Sequence, residues 1–467
     1  MGYCILRLPN RFTVFLFTQF DCCQGEAMFR DHQGLAVTTT SSTAIAAMAQ
    51  FVQQSLCYGN QAEYWIQAAI AADPEWGLAH ACAAAYYLSQ ETAFHHTQAQ
   101  SYLQRASTLL PQGNPREKLY IDATIAWGQG DIGAAIAAHE AIAAFYPQDL
   151  LSVQQGQYHY FYQGDNYGLL RIAQKVLPVH PHNGYLLGML AFGLEQCKEL
   201  GAAEAVGREA IALNPQDYWA QHAVAHVLET QGQIGEGITW LEGFSQSWQH
   251  CNSMLYTHNW WHLALFYLAN GDDEKALELY DSQVWGKATQ SSPKDQVGAI
   301  SLLLRLELAL KDRSEGRSRL KERWQHVAPY LLPRIHEHLL PFQDLHYVYA
   351  LARAGDRNWL GEMLDSMTVH AHRLAPPRQQ VWLNIVLPAA HGLVAHAIAD
   401  LQAAVNQLQP VLAQFQQVGG SHTQRKLFEQ IYQDALANLE QAPLRTGSGS
   451  SILFSATRLV SYLNQVA

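Results

Sequence analysis

The sequence predicts an all-α fold in which pairs of helices stack into a curved solenoid with a concave groove. Prolines end helical segments at nearly constant intervals of 37, 36, 34 and 34 residues, at Pro74, Pro111, Pro147, Pro181 and Pro215. Between these prolines the apolar residues recur three and four positions apart, which is the period of a helix rather than a strand. A short break rich in Gly and Asp divides each interval into two such runs. A period near 34 built from helix, turn and helix is the tetratricopeptide pattern.

Individual residues fall at the positions that this pattern requires. With Gly271 as the turn glycine, the consensus aromatic, small and aliphatic positions are taken by Trp260, Leu263, Ala264, Tyr267, Ala276 and Tyr280. Tyr160 and Gly164 fit the same frame one hundred or so residues earlier. Small residues at these positions let helices approach closely, which is the physical reason for the pattern.

Three regions follow from the pattern. Residues 1–27 read as an extension, for which a targeting peptide and a mis-assigned start with Met28 as initiator both stay open. Residues 28–440 carry the helical repeats. Residues 441–467 contain the flexible string RTGSGSS and then a segment that could form a capping helix or a frayed tail.

Composition excludes several classes of function. The formal net charge is -11 and charged residues make up only 15%, so neither nucleic acid nor an anionic membrane is an expected partner. No apolar run reaches the roughly 20 residues of a transmembrane helix. The 7 cysteines are scattered without a C-x-x-C motif, which predicts a cytoplasmic protein without disulfides. Nucleotide cofactors are not expected, because the chain has no phosphate-binding glycine motif.

Several strings resemble the tetratricopeptide repeat protein 38 family. They include RDHQGLAVTTTSS, GYLLGMLAFGLEQC, HAVAHVLETQG, HNWWHLALFYLANGD and PFQDLHYVYALARAG, and the resemblance covers roughly residues 30–360. It implies a fold of stacked helical pairs. It implies little about activity, because the family carries no well-established reaction.

Histidines are unusually frequent, with 22 in the chain, and five polar residues share one predicted face. His222, His226 and Glu229 are spaced four and three apart, which places them above one another on a helix. With Gly232 as turn glycine they take concave positions of one repeat. His258 and His262 fall on or beside the same face of the next repeat.

These five residues form the candidate metal or catalytic set. First helices of adjacent repeats pack about 8–10 Å apart, so the imidazoles could converge. Imidazole and carboxylate suit zinc, iron or manganese, and a bound water would permit hydrolytic or hydration chemistry. Without metal the same groups could act as general acid and base. The simpler alternative is a wall of hydrogen-bonded histidines, since HAVAH lacks the internal Glu of the zinc-protease helix.

The primary interpretation is a concave groove that binds a small molecule or a peptide. Its expected lining is aromatic and acidic, and consists of Trp219, Trp261, Tyr185, Phe192, Glu195, Asp344 and His346. Such a lining favours stacking and cation–π contacts over capture of a peptide carboxylate by lysines. The alternative is an enzyme of hydrolase, hydratase or oxidoreductase type centred on the five residues above.

Overall fold

A computed structural model describes residues 29–310 and 314–445 of the chain, with backbone only for 314–318 and 441–445. The extension of residues 1–27 and the segment after the RTGSGSS string lie outside the described residues. Residues 441–445, assigned above to a linker region, end the last helix.

The described residues form 22 α-helices and no β-strand. The first ten are α1 (Ser42–Leu56), α2 (Ala62–Ala72), α3 (Gly77–Leu88), α4 (Ala93–Leu109), α5 (Pro115–Gly128), α6 (Ile132–Phe145), α7 (Leu150–Gln163), α8 (Asn166–Val176), α9 (Gly184–Gln196) and α10 (Leu200–Leu213). The remainder are α11 (Tyr218–Thr230), α12 (Ile234–Phe244), α13 (Ser253–Ala269), α14 (Asp273–Leu279), α15 (Pro293–Leu310), α16 (Ser314–Val327), α17 (Pro341–Ala354), α18 (Arg357–Arg373), α19 (Arg378–Val381), α20 (Leu387–Ala397), α21 (Leu401–Leu408) and α22 (His422–Arg445).

Consecutive helices pair into hairpins, and the hairpins stack as the repeat pattern predicts. α3 packs on α4, α5 on α6 and α9 on α10, while the first helices α9, α11, α13, α15 and α17 each contact the next in the row. The protein is therefore an all-α, tetratricopeptide-like solenoid. Its core consists mainly of two large apolar clusters that meet at α11.

Local sequence explains where the helices begin and end. Aspartates cap several of them, and the side chains of Asp149, Asp165 and Asp217 accept hydrogen bonds from backbone N–H groups of the first turn. Turns between paired helices need a residue in the left-handed region, where glycine carries no steric cost. Gly232 and Gly271 take φ values of 71° and 80°, which confirms them as the predicted turn glycines.

The repeat pattern becomes irregular after α13. Helix α14 has only 7 residues and continues into a π-helical turn at Tyr280–Val284. A second π-helical turn, Trp382–Val386, separates α19 from α20. Both π-helical turns interrupt the regular alternation of paired helices.

The array curls until distant repeats touch. Glu91, between α3 and α4, is buried and accepts hydrogen bonds from Tyr158 and Tyr162 of α7 at 2.9 and 2.7 Å. Its other oxygen accepts from Gln343 of α17 at 2.6 Å, and Lys294 of α15 lies 3.2 Å away. The concave face consequently lies inside the molecule.

The segment from Leu412 to the start of α22 lies against this face. Arg305 of α15 donates a hydrogen bond to the carbonyl oxygen of Thr423 at 2.9 Å. Helix α22 also contacts α15, α20 and α21. None of the helices in the described ranges is both long and apolar enough to cross a bilayer.

Candidate metal centre

The central histidines come from two adjacent first helices, α11 and α13. Asp217 accepts hydrogen bonds from the N–H groups of Trp219 and Ala220, both at 3.1 Å, and so sets the start of α11. Asn252 caps α13 by accepting from Leu255 N–H at 3.0 Å. With both starts set by caps, the four-residue spacing of each pair projects its imidazoles from one face.

The structure brings all four predicted histidines together. Nε2 of His222 lies 3.0 Å from Nε2 of His226 and 3.1 Å from Nε2 of His258. The ring of His262 lies 4.5 Å from that of His226, centroid to centroid, and 4.8 Å from that of His258. One nitrogen from each of the four rings lies within 4.8 Å of the others.

Burial keeps these imidazoles uncharged. His222, His226 and His262 are at most 1% exposed, and His258 is half-buried. Desolvation lowers the pKa of the three buried rings well below the usual value, and it lowers the pKa of His258 to about 4. A neutral imidazole has a lone pair on one nitrogen, which is the form that binds metals.

Several polar atoms of the cluster lack a hydrogen-bond partner among the described residues. They are Nδ1 of His222 and both ring nitrogens of His262. Such buried, unpaired atoms cost about 1–3 kcal/mol each. The cluster therefore carries an energetic cost that a bound ion would offset.

Glu229, the fifth predicted residue, lies at the edge of the set. Its Oε2 is 3.4 Å from Nδ1 of His262, and burial raises the pKa of its carboxyl. The guanidinium of Arg305 lies over the ring of Trp261, 5.2 Å from its centroid, and counters the effect of burial on Glu229. Glu229 thus lies beside His262 without a hydrogen bond to it and stands outside the four-nitrogen set.

A second group of potential ligands adjoins the first and shares His226 with it. Glu195, His226 and His422 each offer one ligand atom, and these three atoms also lie within 4.8 Å of one another. Nδ1 of His226 is 3.8 Å from Oε2 of Glu195, and Nε2 of His422 is 3.0 Å from Oε1 of Glu195. Glu195 is fully buried.

Three of the predicted aromatic lining residues surround the histidines. Trp219 lies 4.5 Å from the ring of His222, Phe192 lies 5.7 Å from it, and Trp261 stacks on His258 at 5.1 Å. Phe192 and Trp261 are buried and Trp219 is half-buried. The structure thus places all three beside the histidines, and the curled array covers most of their surface.

Tyr185, Asp344 and His346 do not join this cluster. Tyr185 packs against the N-terminal apolar cluster. Asp344 and His346 lie on α17, and α15 separates that helix from α13 in the row of first helices. His346 bonds through Nδ1 to the carbonyl of Phe342 at 2.7 Å. Two steps along the row of first helices take both residues out of reach of the central histidines.

Asp344 instead belongs to a separate polar chain. Its Oδ1 lies 3.1 Å from Nδ1 of His338, and Nε2 of His338 lies 2.8 Å from Oγ of Ser366. Nδ1 of His336 approaches the same oxygen at 2.9 Å. His338 is buried and adopts a left-handed backbone conformation with φ 48°. This chain joins the loop before α17 to α18.

Sequence reasoning missed two residues of the site, His422 and Arg305. His422 lies about two hundred residues beyond His226, at the first position of α22, where no repeat frame applies. Arg305 occurs in an apolar helix and carried no pattern of its own. A basic residue in the largely apolar stretch of residues 297–310 was the available signal for Arg305.

No protein-family model matches the chain. Several solved structures are similar at low sequence identity. A Rap protein complexed with Competence and Sporulation Factor shares 12% identity at a TM-score of 0.40, covering 69% of this chain and 99% of that chain. A human IFIT1 dimer with PPP-AAAA shares 15% identity at a TM-score of 0.44, covering 89% of this chain and 91% of that one. The Cut9 and Hcn1 hetero-tetramer of APC/C gives 12% identity and a TM-score of 0.36, covering 84% and 75%.

These similarities are too distant to describe what this chain does. The described residues themselves define its class: a tetratricopeptide-like α-solenoid whose concave face encloses a histidine cluster.

Proposed function

We propose that the protein binds a divalent transition-metal ion through His222, His226, His258 and His262. The observation that carries this proposal is the convergence of four uncharged imidazole nitrogens within 4.8 Å. Two helices supply them in pairs, and three of the rings are buried.

Histidine hydrogen bonding alone satisfies the cluster poorly. Nε2 of His222 faces two other Nε2 atoms, and a neutral ring has one N–H donor for its two nitrogens. A metal ion would use the lone pairs directly, since zinc binds imidazole at about 2.0–2.1 Å in tetrahedral sets. Imidazole ligands suit zinc, copper, iron and nickel, and affinity rises toward copper.

The test is elemental analysis of the full chain purified without a histidine tag. We expect bound metal in the wild type and a lower metal content in the double variant His222→Ala, His262→Ala. Adding zinc should raise the melting temperature of stripped wild-type protein, because an ion that binds only the folded state stabilises it. His182→Gln, at an exposed loop position, is the matched control and should behave as wild type. Absence of metal together with an unchanged melting temperature in zinc, copper, nickel and iron would refute the proposal.

Catalysis at this metal is a second candidate function, in which water or substrate would replace the half-buried His258 as the fourth ligand. A catalytic ion needs a coordination position that water or substrate can reach. His258→Ala should keep the metal on three buried imidazoles and hydrolyse p-nitrophenyl acetate at an altered rate. Loss of metal in this variant, or no metal-dependent hydrolysis by either protein, would count against the enzyme.

An organic ligand of the concave face would be small in this proposal. Trp219 is half-buried, stacks on Tyr58 with ring centroids 5.0 Å apart, and flanks His222, so the accessible edge is aromatic. A peptide running along the face would have to displace the segment after Leu412. Fluorescence of Trp219, compared with a Trp219→Phe variant, reports on small aromatic or cationic ligands. A peptide that binds without releasing α22, as judged by hydrogen exchange, would contradict this size limit.

We also propose that the chain belongs to the tetratricopeptide repeat protein 38 family and works in the cytoplasm. The strings that carry the four histidines support the first statement. The four cysteines of the described residues, Cys57, Cys82, Cys197 and Cys251, are unpaired, which agrees with a reducing compartment. Finding the four histidines at matching positions in members of the family would test the first statement, and fractionation of cells would test the second.

A further inference from the structure

We propose a second metal position, held by Glu195, His226 and His422 and joined to the four-histidine metal by the ring of His226. This inference rests on the metal centre proposed above. It turns a single-ion site into a pair of ions bridged by one imidazole.

The two nitrogens of His226 face different sets of ligands. Nε2 lies 3.0 Å from Nε2 of His222, within the four-histidine set. Nδ1 lies on the opposite side, 3.8 Å from Oε2 of Glu195 and 3.4 Å from Oγ1 of Thr423. His226 is fully buried. The ring of His226 thus separates two groups of donor atoms. Within each group the atoms lie within 4.8 Å of one another, close enough to bind one metal ion.

The second group has the chemistry of a ligand set. Nε2 of His422 lies 3.0 Å from Oε1 of Glu195, yet that oxygen has no partner with hydrogen-bond geometry. The other oxygen of this buried carboxylate, Oε2, accepts a hydrogen bond from Gln196 at 2.6 Å. A completely buried carboxylate oxygen without a hydrogen-bond donor is an unmet acceptor, and a metal ion would be its partner.

The two ligand sets differ in how many coordination positions of a metal ion they would fill. Four imidazoles complete a tetrahedral shell, which is the pattern of closed sites. Two imidazoles and one carboxylate leave a fourth position for water or substrate, which is the pattern of catalytic zinc. Bridging requires that the ring of His226 lose its N–H proton to solvent when the second ion binds Nδ1. The two ions would then lie about 6 Å apart, given metal–nitrogen bonds near 2.0–2.1 Å.

The second position also links distant parts of the chain. Glu195 lies on α9, His226 on α11 and His422 at the start of α22. Arg305 holds that start by donating to the carbonyl oxygen of Thr423 at 2.9 Å. Binding at this position would therefore tie the last described helix to the middle of the solenoid.

The experiment measures metal content by mass spectrometry in tag-free, full-length protein reloaded with copper or zinc and freed of excess. We expect two equivalents in the wild type and one in Glu195→Gln and in His422→Gln. His182→Gln should keep two. The remaining equivalent in the two variants also shows that they fold, because its ligands come from α11 and α13.

Electron paramagnetic resonance of the copper-loaded protein tests the bridge. Two copper ions on one imidazolate couple antiferromagnetically, so the integrated spin of the wild type should fall far below its copper content. In Glu195→Gln the spin should match its single copper. If the wild type and Glu195→Gln each bind one equivalent of metal, the second position is wrong and the four-histidine site still stands. Two uncoupled ions overturn the bridge, and no metal at all overturns both proposals.

Discussion

Nε2 of His422 lies 3.0 Å from Oε1 of Glu195, which brings the first residue of α22 to the end of α9. The two residues belong to parts of the chain that share no repeat. Their contact exists because the solenoid curls inward, and the C-terminal segment occupies the concave face. This closure, the burial of the histidines and the packing of α12 on α13 each lead to testable predictions, four in all.

Arg305 is expected to hold α22 in place. Its guanidinium is buried, donates to Thr423 and Ser301, and lies over Trp261, while burial lowers its pKa to about 10. Arg305→Ala should therefore reduce the free energy of unfolding by about 3 kcal/mol. Urea denaturation measures this, and hydrogen exchange should show early opening of α22.

The matched control for that variant is Arg208→Ala. Arg208 pairs with Glu204 and Glu236 near the surface, where ion pairs contribute about 0–1 kcal/mol. Equal losses in the two variants would show that Arg305 has no special part in closure.

Acid should destabilise the metal-free protein below pH 6.5. The pKa values of His222, His226 and His262 are lowered by burial, so the unfolded chain takes up protons that the folded chain refuses. Stability is fully present above pH 6.5 and is lost as the pH falls, by about 1.4 kcal/mol per pH unit for each such ring. Urea unfolding in the presence of a chelator at pH 7.5, 6.5 and 5.5 measures how the free energy of unfolding changes with pH.

His222→Asn removes one of these rings. The free energy of unfolding should then fall less steeply with falling pH, by about 1.4 kcal/mol per pH unit. The exposed His182→Gln should leave this slope unchanged. A slope in His222→Asn equal to that of the wild type would mean that the ring is protonated in the folded protein.

Glu91 is expected to hold the curled array together. It accepts hydrogen bonds from Tyr158, Tyr162 and Gln343, and Lys294 supplies a charge at 3.2 Å. Glu91→Gln keeps the size but loses the charge and one acceptor oxygen, so we expect a loss of about 1–3 kcal/mol. Glu75→Ala, which breaks an exposed pair with Arg105, should cost less than about 1 kcal/mol.

Small-angle scattering distinguishes closure from general stability in this variant. If Glu91 joins the distant repeats, Glu91→Gln should be more expanded than Glu75→Ala under native conditions. Identical scattering curves and unfolding midpoints would contradict the assignment.

Two glycines of α12 should respond in opposite ways to alanine. A Cβ on Gly237 would overlap the ring of Phe266, a buried side chain of α13, whereas a Cβ on Gly235 meets nothing within 4 Å. Gly237→Ala should cost about 1–3 kcal/mol through overpacking. Gly235→Ala should stabilise by about 0.5–1 kcal/mol, because alanine forms helix more readily.

Thermal unfolding of the two variants side by side is the measurement. Both lie in the same helix, so a difference between them reports the contact with Phe266 rather than helix propensity. Similar melting temperatures would show that α12 can move away from α13 at little cost.

Much of the candidate site was predictable because it depends on local geometry. The spacing of His222 and His226, and of His258 and His262, sets their direction once each helix begins at its cap. The hairpin of α11 and α12, which turns at Gly232, then places α11 and α13 side by side. Distances of three or four residues and a hairpin of about 34 residues are visible in the sequence itself.

The partners from elsewhere in the chain were not predictable in this way. Asp344 was predicted to belong to the same lining, yet it bonds His338 and not the central histidines. Glu195 was assigned to the lining, but its approach to His422 depends on where α22 lies. Such contacts depend on the accumulated rotation of many hairpins, and each small rotation depends on side-chain packing.

The sequence by itself thus determined the helical hairpins, the shared face of the histidine pairs and the concave side on which they lie. Tertiary structure alone decided that Glu91 joins Gln343, that α22 covers the concave face, and that His422 reaches Glu195. The physical reason is that helix period and capping act within a few residues, whereas curvature is the sum of packing angles over the whole solenoid.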